Sequence, residues 1–177
     1  SSAVRVRDTL RDRGFRIYIQ TDVVGTELGG SLKNVVAIAA GICDGLGFGD
    51  NTKSGLLTRG LLEMVKLGVR LGANPNTFFG LSGVGDLMTT CFSPHGRNLR
   101  VGRDLGRGKK IEEILSGMEM VAEGVDTSES VHGLAARVGV ELPIMSEVYK
   151  VLFQGKDCSR AVEDLLSRDA REEWKQY

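Results

Sequence analysis

The feature that most constrains this chain is that strand-like alternation stops at residue 21. From residue 22 onward apolar residues recur at helical spacing, and this periodicity is the main sequence signal for helix rather than strand. The pattern therefore predicts an all-α multi-helix bundle with a domain boundary at residue 22. The helices are expected at about residues 31–45, 52–71, 85–91, 98–105, 111–118, 127–138, 144–153 and 159–175.

The first of these helices is expected to begin at Ser31, because serine is a favoured N-cap residue. One apolar stripe follows it as far as the Asp44-Gly45 pair, where the helix is expected to end. The stripe contains Leu32, Val35, Val36, Ala39, Ala40 and Cys43.

Residues 1–21 follow a different pattern. Residues 4–13 resemble the end of a charged helix, and residues 15–21 alternate and are rich in aromatic and β-branched side chains. The second segment predicts a single strand, and no later segment offers it a partner. One helix end followed by one strand is what remains when a doubly wound sheet is cut near its last unit.

Composition argues against several classes of function. The chain of 177 residues has 23 basic and 23 acidic residues, so it has no global field that would attract nucleic acid or an anionic membrane surface. No apolar run approaches the roughly 20 residues of a membrane span. Cys43, Cys91 and Cys158 are far apart and odd in number, which predicts reduced thiols in a cytoplasmic protein. His95 and His132 are not spaced as metal ligands, so we expect no metal site.

Lys33 is the first candidate for chemistry. It follows Gly29-Gly30-Ser31-Leu32 and falls in the first turn of the predicted helix, off the apolar stripe. A cation there faces the positive end of the helix dipole, which favours the neutral amine and suits a general base. An exposed surface lysine explains the same spacing.

Asp86 is the second candidate. Gly83 and Gly85 lie just before it, which indicates a tight turn that presents a carboxylate at the start of a helix. Such a carboxylate either caps the helix or orients a neighbouring ammonium group.

The segment from Ser93 to Asn98 predicts an anion site. Pro94 and Gly96 precede a helical run, and Arg97 and Asn98 occupy its first turn. Free backbone N–H groups, the helix dipole and a guanidinium together suit a small phosphorylated ligand. A surface ion pair made by Arg97 is the alternative. The chain contains no G-x-G-x-x-G fingerprint, so a complete dinucleotide site is absent from it.

Together these clusters resemble the C-terminal domain of the NAD(P)-dependent glycerol-3-phosphate dehydrogenases. The resemblance covers nearly the whole chain, and its most specific part is the block from Asp22 to Gly41. The other matching segments are residues 45–53 (GLGFGDNTK), 85–87 (GDL), 97–98 (RN) and 121–124 (VAEG).

The resemblance implies an all-helical domain related to the C-terminal domains of 6-phosphogluconate-type dehydrogenases. Residues 1–21 would be a remnant of a Rossmann domain, and residues 22–177 the substrate-binding and catalytic domain. The implied reaction interconverts sn-glycerol 3-phosphate and dihydroxyacetone phosphate with NAD or NADP. Lys33 would be the proton acceptor, and Asp86 would bind substrate and help to place the lysine.

The remaining site residues are also implied by the resemblance. Those expected to bind substrate are Gly96, Arg97 and Asn98, with Asn34 and Thr90 as further candidates, and those expected to approach the cofactor are Arg97, Val121 and Glu123. Related bacterial enzymes usually carry serine at the position of Gly96. The backbone N–H of Gly96 can still contact phosphate, so we expect weaker substrate binding rather than lost activity.

The family further implies a cytoplasmic homodimer that supplies glycerophospholipid synthesis and needs its own N-terminal Rossmann domain, so that the fragment alone is inactive. Nucleic acid is not an expected partner. Two other interpretations stay open. One is a non-catalytic phosphate-binding or dimerisation module, and the other is the domain of a related hydroxyacid dehydrogenase.

Overall fold

A computed structural model describes residues 2–118 and 120–169, and in these ranges it confirms the predicted all-α bundle. The α-helices described are α1 (Ser2–Leu10), α2 (Val23–Gly45), α3 (Asp50–Arg70), α4 (Asp86–Phe92), α5 (Arg97–Gly106), α6 (Ile111–Ser116), α7 (Glu123–Val138), α8 (Pro143–Phe153) and α9 (Cys158–Leu166). A 3-10 helix (Pro75–Phe79) and a π-helix (Leu81–Gly85), neither of them predicted, lie between α3 and α4.

Helix α2 is the centre of the bundle. It packs against α3, α4, α5, α7 and α8, and its residues 34–43 are all buried. The prediction of a single apolar stripe is therefore wrong. A helix that is apolar nearly all round is a buried helix, and the continuous run from Val35 to Cys43 carries that signal.

The start of α2 was also predicted wrongly. The N-cap is Asp22, whose carboxylate accepts a hydrogen bond from the Gly25 backbone N–H at 2.9 Å. The Ser31 hydroxyl instead donates to the Glu27 carbonyl oxygen inside the helix, which is the usual use of a serine within a helix.

Asp22 also fixes the first turn of α2 to the 3-10 helix. Its second carboxylate oxygen accepts from the Asn74 backbone N–H at 2.8 Å and from the Thr77 hydroxyl at 2.7 Å. The hydrogen bond from Gly25, together with those from Thr77 and Asn74, lowers the pKa of Asp22. One short side chain thus joins two elements that are about fifty residues apart in the chain.

Helices α2 and α5 meet along a seam of four glycines, Gly41 and Gly45 on α2 and Gly102 and Gly106 on α5. A Cβ atom on Gly102 would lie 2.0 Å from the Ile38 carbonyl oxygen, and one on Gly41 would lie 2.2 Å from the Leu99 carbonyl oxygen. Only glycine allows backbones to approach so closely. The seam therefore fixes how far α5 is shifted along α2.

The predicted strand at residues 15–21 does not form in the described part of the chain. A single antiparallel bridge joins Asp12 and Phe15, and the chain then continues without helix or strand as far as α2. Helix α1 buries none of its residues. The physical reason is the missing partner, since a strand forms only when a neighbour satisfies its backbone groups.

Other element boundaries differ by a few residues. Helix α7 begins at Glu123 rather than at residue 127, and α9 ends at Leu166, short of the predicted residue 175. Residues 170–175 of that prediction lie outside the described residues. No helix within residues 2–118 and 120–169 is long and apolar enough to cross a membrane.

Glu63 of α3 caps helix α8 from outside. Its two carboxylate oxygens accept from the Ile144 and Met145 backbone N–H groups at 2.7 and 3.1 Å. Burial raises the pKa of Glu63 to about 7, because the cost of desolvating the charge exceeds the stabilisation from the two hydrogen bonds. The folded state therefore binds a proton more tightly here than the unfolded chain does.

This raised pKa predicts a pH-dependent stability. The contribution of Glu63 is complete below the ordinary value of 4.5 and is lost as the pH rises through about 7. Urea unfolding of the wild type and of Glu63→Gln should give free energies of unfolding whose difference changes between about pH 4.5 and 7, because glutamine does not titrate. Parallel pH profiles for the two proteins would contradict this assignment.

The glycine seam gives a second prediction. Gly102→Ala should lower the free energy of unfolding by about 3 kcal/mol, because the added methyl group overlaps the α2 backbone. Gly133→Ala on α7 is the matched control, since nothing lies within 4 Å of its Cβ position. Alanine there should stabilise the protein by about 0.5–1 kcal/mol. Equal effects in urea titrations followed by circular dichroism would refute the role of the seam.

Candidate active site

The side chains of Lys33 and Asp86 form a direct ion pair between α2 and α4. The Lys33 side chain is 19% exposed and that of Asp86 is 37% exposed, so the pair lies at the edge of the bundle, where a small molecule can reach it. Of the two predicted uses of Asp86, the structure shows the second. Its carboxylate orients an ammonium group, and it makes no capping hydrogen bond to α4.

The helix-dipole argument for Lys33 is wrong. Because α2 begins at Val23, Lys33 lies ten residues further on, about three turns from the helix start. The dipole acts within the first turn only. The electrostatic partner of Lys33 is therefore the carboxylate of Asp86.

The π-helix brings Asp86 to this position. A Cβ atom on Gly29 of α2 would lie 2.3 Å from the Ser82 carbonyl oxygen, and one on Gly83 would lie 2.0 Å from the Phe78 carbonyl oxygen. The first contact allows the π-helix to lie directly on α2, one turn before Lys33, and the second packs it against the 3-10 helix. The two glycines before Asp86 in the sequence did signal a tight turn, but not its π geometry, which often marks functional sites.

Thr90 supports the carboxylate from one turn further along α4. Its hydroxyl donates to the Asp86 carbonyl oxygen at 2.7 Å and lies 3.4 Å from Asp86 Oδ1. The structure thus places Thr90 beside the Lys33–Asp86 pair.

A second polar group starts from the next residue of α2. Asn98 Nδ2 donates to Asn34 Oδ1 at 3.0 Å, and Asn98 Oδ1 accepts from the Gly124 backbone N–H at 2.9 Å. Asn34 Nδ2 in turn lies 3.3 Å from the Gly30 carbonyl oxygen and 3.5 Å from Glu123 Oε2. These bonds join α2, α5 and the first turn of α7.

Arg97 and Glu123 form the outer part of this group. Arg97 Nη2 lies 3.7 Å from Glu123 Oε1, with side chains 41% and 66% exposed. Val121 precedes α7 and is 67% exposed. The structure thus brings Arg97 and Glu123 together with Asn34 and Asn98. Val121, two residues before Glu123, lies exposed on the surface.

Two expectations about the anion site need correction. The Gly96 N–H is not available, because it donates to the Ser93 carbonyl oxygen at 3.0 Å. Asn98 is only 8% exposed, and both the nitrogen and the oxygen of its side-chain amide form hydrogen bonds within the protein. The donors at this end of α5 that remain for an anion are the backbone N–H groups of residues 97–99, which have no acceptor inside the helix. The exposed Arg97 guanidinium, paired with Glu123 on one side, lies beside them.

Lys53 of α3 is a buried cation for which the sequence offered no role. Its Nζ lies 2.9 and 3.0 Å from the two carboxylate oxygens of Asp44, which also accepts from Arg103 at 3.2 Å. The same Nζ lies 5.0 Å from the centre of the Phe92 ring. Four helices, α2 to α5, therefore meet at one ion cluster behind the site.

The described residues bring together no group of three or more His, Cys, Asp or Glu side chains suited to a metal ion. The site contains an ammonium–carboxylate pair, Lys33–Asp86, and, from the adjacent residue of α2, polar contacts through Glu123 that end at the exposed Arg97 guanidinium. Proton transfer and anion binding are thus available side by side.

Comparison with known proteins places this arrangement in a class. Residues 22–163 match the family model of the NAD-dependent glycerol-3-phosphate dehydrogenase C-terminus. The chain therefore belongs to this family.

Curated relatives match almost the whole chain. Glycerol-3-phosphate dehydrogenase [NAD(P)+] of Chlorobium phaeobacteroides is 48% identical over 97% of the chain and 52% of the relative. The protein of that name from Thermoanaerobacter sp. is 54% identical over 95% of the chain and 51% of the relative. The chain thus spans about half the length of the curated relatives it matches.

Solved structures give the same result. The glycerol-3-phosphate dehydrogenase of Coxiella burnetii superposes with a TM-score of 0.90 at 38% identity, over 94% of this chain and 51% of that one. The yeast enzyme superposes with a TM-score of 0.84 at 27% identity, over 92% of this chain and 48% of that one.

The asparagine pair generates a prediction about stability. Asn98→Ala removes two buried hydrogen bonds and leaves Asn34 Oδ1 and the Gly124 N–H without partners, which should cost about 2–3 kcal/mol. Asn51→Ala, at an exposed position, is the matched control. Hydrogen exchange at the Gly124 amide should accelerate in Asn98→Ala beyond the effect of the global destabilisation. Unchanged protection of that amide would contradict the role given to Asn98.

Proposed function

We propose that this chain is the C-terminal half of an enzyme that interconverts sn-glycerol 3-phosphate and dihydroxyacetone phosphate with NAD(P)(H). The observation that carries the proposal is the Lys33–Asp86 ion pair at the solvent-accessible edge of the bundle, in a chain that belongs to this family. Residues 22–177 form the substrate-binding and catalytic domain, and residues 1–21 end the preceding Rossmann domain.

Lys33 supplies the proton chemistry. In oxidation, the neutral amine takes the proton of the C2 hydroxyl while hydride leaves C2, and in reduction the ammonium returns a proton to the carbonyl oxygen. Asp86 holds the lysine side chain in place, and Thr90 holds Asp86. Such a fixed base contributes about 10²–10⁴-fold to a rate.

The first turn of α5 binds the phosphate end of the substrate. The Arg97 guanidinium and the free N–H groups of residues 97–99 provide charge-assisted donors. Gly96 shapes the turn rather than donating, and Asn98 positions this turn against Asn34. Serine at residue 96 would add a hydroxyl donor, which supports the expectation of weaker substrate binding here.

The cofactor would accept or deliver the hydride when bound, and Arg97, Val121 and Glu123 would approach it from this side. Its main site belongs to the N-terminal domain, because this chain lacks the dinucleotide fingerprint. Exposed apolar side chains at Val23 (68%), Leu81 (68%) and Met88 (52%) support a domain contact beside the site.

The finer assignments follow from the family. The full-length protein is proposed to be a cytoplasmic homodimer that supplies glycerol 3-phosphate for phospholipid synthesis. Burial raises the pKa of Cys43 to about 11 and that of Cys91 to about 12. Both thiols therefore remain protonated and unreactive, which suits a reducing compartment.

Substitution in the full-length protein tests the catalytic assignment. Lys33→Ala should lower kcat at least about 10²-fold, whereas Lys66→Ala, at an exposed position on α3, should leave it unchanged. Arg97→Ala should raise the KM for dihydroxyacetone phosphate. The chain of 177 residues alone should show no dehydrogenase activity with NADH. Normal turnover in Lys33→Ala would overturn the proposed role of this lysine.

The same assays distinguish two other functions from the proposed one. A non-catalytic phosphate-binding or dimerisation module predicts no NADH oxidation by the full-length protein, although calorimetry would still detect glycerol 3-phosphate binding that Arg97→Ala removes. A related hydroxyacid dehydrogenase predicts turnover of a carboxylate substrate in place of dihydroxyacetone phosphate.

A further inference from the structure

Helix α5 carries a concentration of positive charge that the composition of the whole chain conceals. Residues 97–107 contain four arginines and a single acidic residue, Asp104, in a protein whose formal net charge is zero. The arginines are Arg97, Arg100, Arg103 and Arg107, and we refer to Arg97, Arg100 and Arg107 as the α5 basic face.

The basic face lies opposite the buried side of α5. Asn98, Leu99, Val101, Gly102 and Leu105 face the bundle, so Arg100 and Arg107, which are exposed, project away from it. Arg103 instead reaches back to Asp44 of α2. Arg97 and Arg103 have carboxylate partners in Glu123 and Asp44. Within the described residues, Arg100 and Arg107 are exposed and take part in no ion pair.

Helix stability does not explain the position of Arg100. Arg97 and Arg100 fall in the first turn of α5, where the helix dipole disfavours cations. Of the two arginines without an ion-pair partner, only Arg107, at the C-cap, has a position that the helix dipole favours. A row of arginines that starts at the proposed phosphate site and opposes the dipole there points to an anion outside the helix.

We propose that the α5 basic face attracts the phosphate group of the substrate electrostatically and guides it to Arg97. This inference rests on the proposed function, whose substrates carry a phosphate with about −1.5 to −2 charges at neutral pH. Clefts and faces of one charge raise the local concentration and the association rate of oppositely charged ligands. Arg100 and Arg107 therefore increase kcat/KM without touching the bound substrate.

The geometry predicts a graded effect. Along the helix axis Arg100 lies about 4.5 Å and Arg107 about 15 Å from Arg97, at 1.5 Å per residue. The Debye length is about 10 Å at 0.1 M salt and about 30 Å at 0.01 M. Arg100 thus acts under most conditions, whereas Arg107 acts only at low salt.

Charge reversal in the full-length protein tests this inference. At about 0.01 M ionic strength, Arg100→Glu should lower kcat/KM for dihydroxyacetone phosphate about threefold or more, and Arg107→Glu by a smaller factor. Both losses should disappear near 1 M salt, where the Debye length falls to about 3 Å, and kcat should stay unchanged. The matched control is Arg137→Glu, near the end of α7 and about 21 Å along that helix from Glu123, which should have no effect.

The outcomes separate the possible explanations. Losses that persist at 1 M salt, or a lowered melting temperature, would mean that Arg100 contacts another part of the full-length protein, and would overturn electrostatic guidance. Equal losses in Arg137→Glu would show a general effect of net charge and would overturn it as well. An active wild type with no loss in Arg100→Glu would refute the guidance while leaving the proposed function intact. An inactive wild type would refute both.

Discussion

The structure depends on the direct backbone contact between α2 and α5. Four glycines remove the side chains that would otherwise separate the two helices, and the contact leaves almost no freedom in how far one is shifted along the other. Since α5 begins at Arg97, this shift decides that Asn98 meets Asn34 and that Arg97 lies near the first turn of α7. Backbone packing thus sets the geometry of the proposed anion site.

A second close contact has the same effect on the proton-transfer pair. The π-helix lies on Gly29, and the helix that follows it starts with Asp86 facing Lys33. Consecutive residues of α2, Lys33 and Asn34, therefore connect to two different polar groups. A buried central helix suits this purpose because its position is fixed by neighbours on every side.

Much of the fold was predictable because helical periodicity is a local property. The predicted cores of α3, α5, α6 and α8 match the structure within two residues at each end. One error was local, since the N-cap of α2 is Asp22 and not Ser31, and the error at residues 15–21 depends on a partner elsewhere in the chain. Asp22 caps α2 and also binds Asn74 and Thr77. The alternating pattern of residues 15–21 predicted a strand, but a strand forms only when a second strand pairs with it.

The sequence by itself determined the helical class, the family and the identity of Lys33, Asp86, Arg97 and Glu123 as site residues to test, because these follow from local patterns and from motifs. Only the tertiary structure decided which groups each of them contacts. The partner of Lys33 lies 53 residues away and that of Asn98 lies 64 residues away. The structure replaced the helix dipole by Asp86 as the partner of Lys33, and it engaged the Gly96 N–H and the Asn98 side chain in hydrogen bonds within the protein, because hydrogen-bonding capacity is settled only when packing brings the groups together.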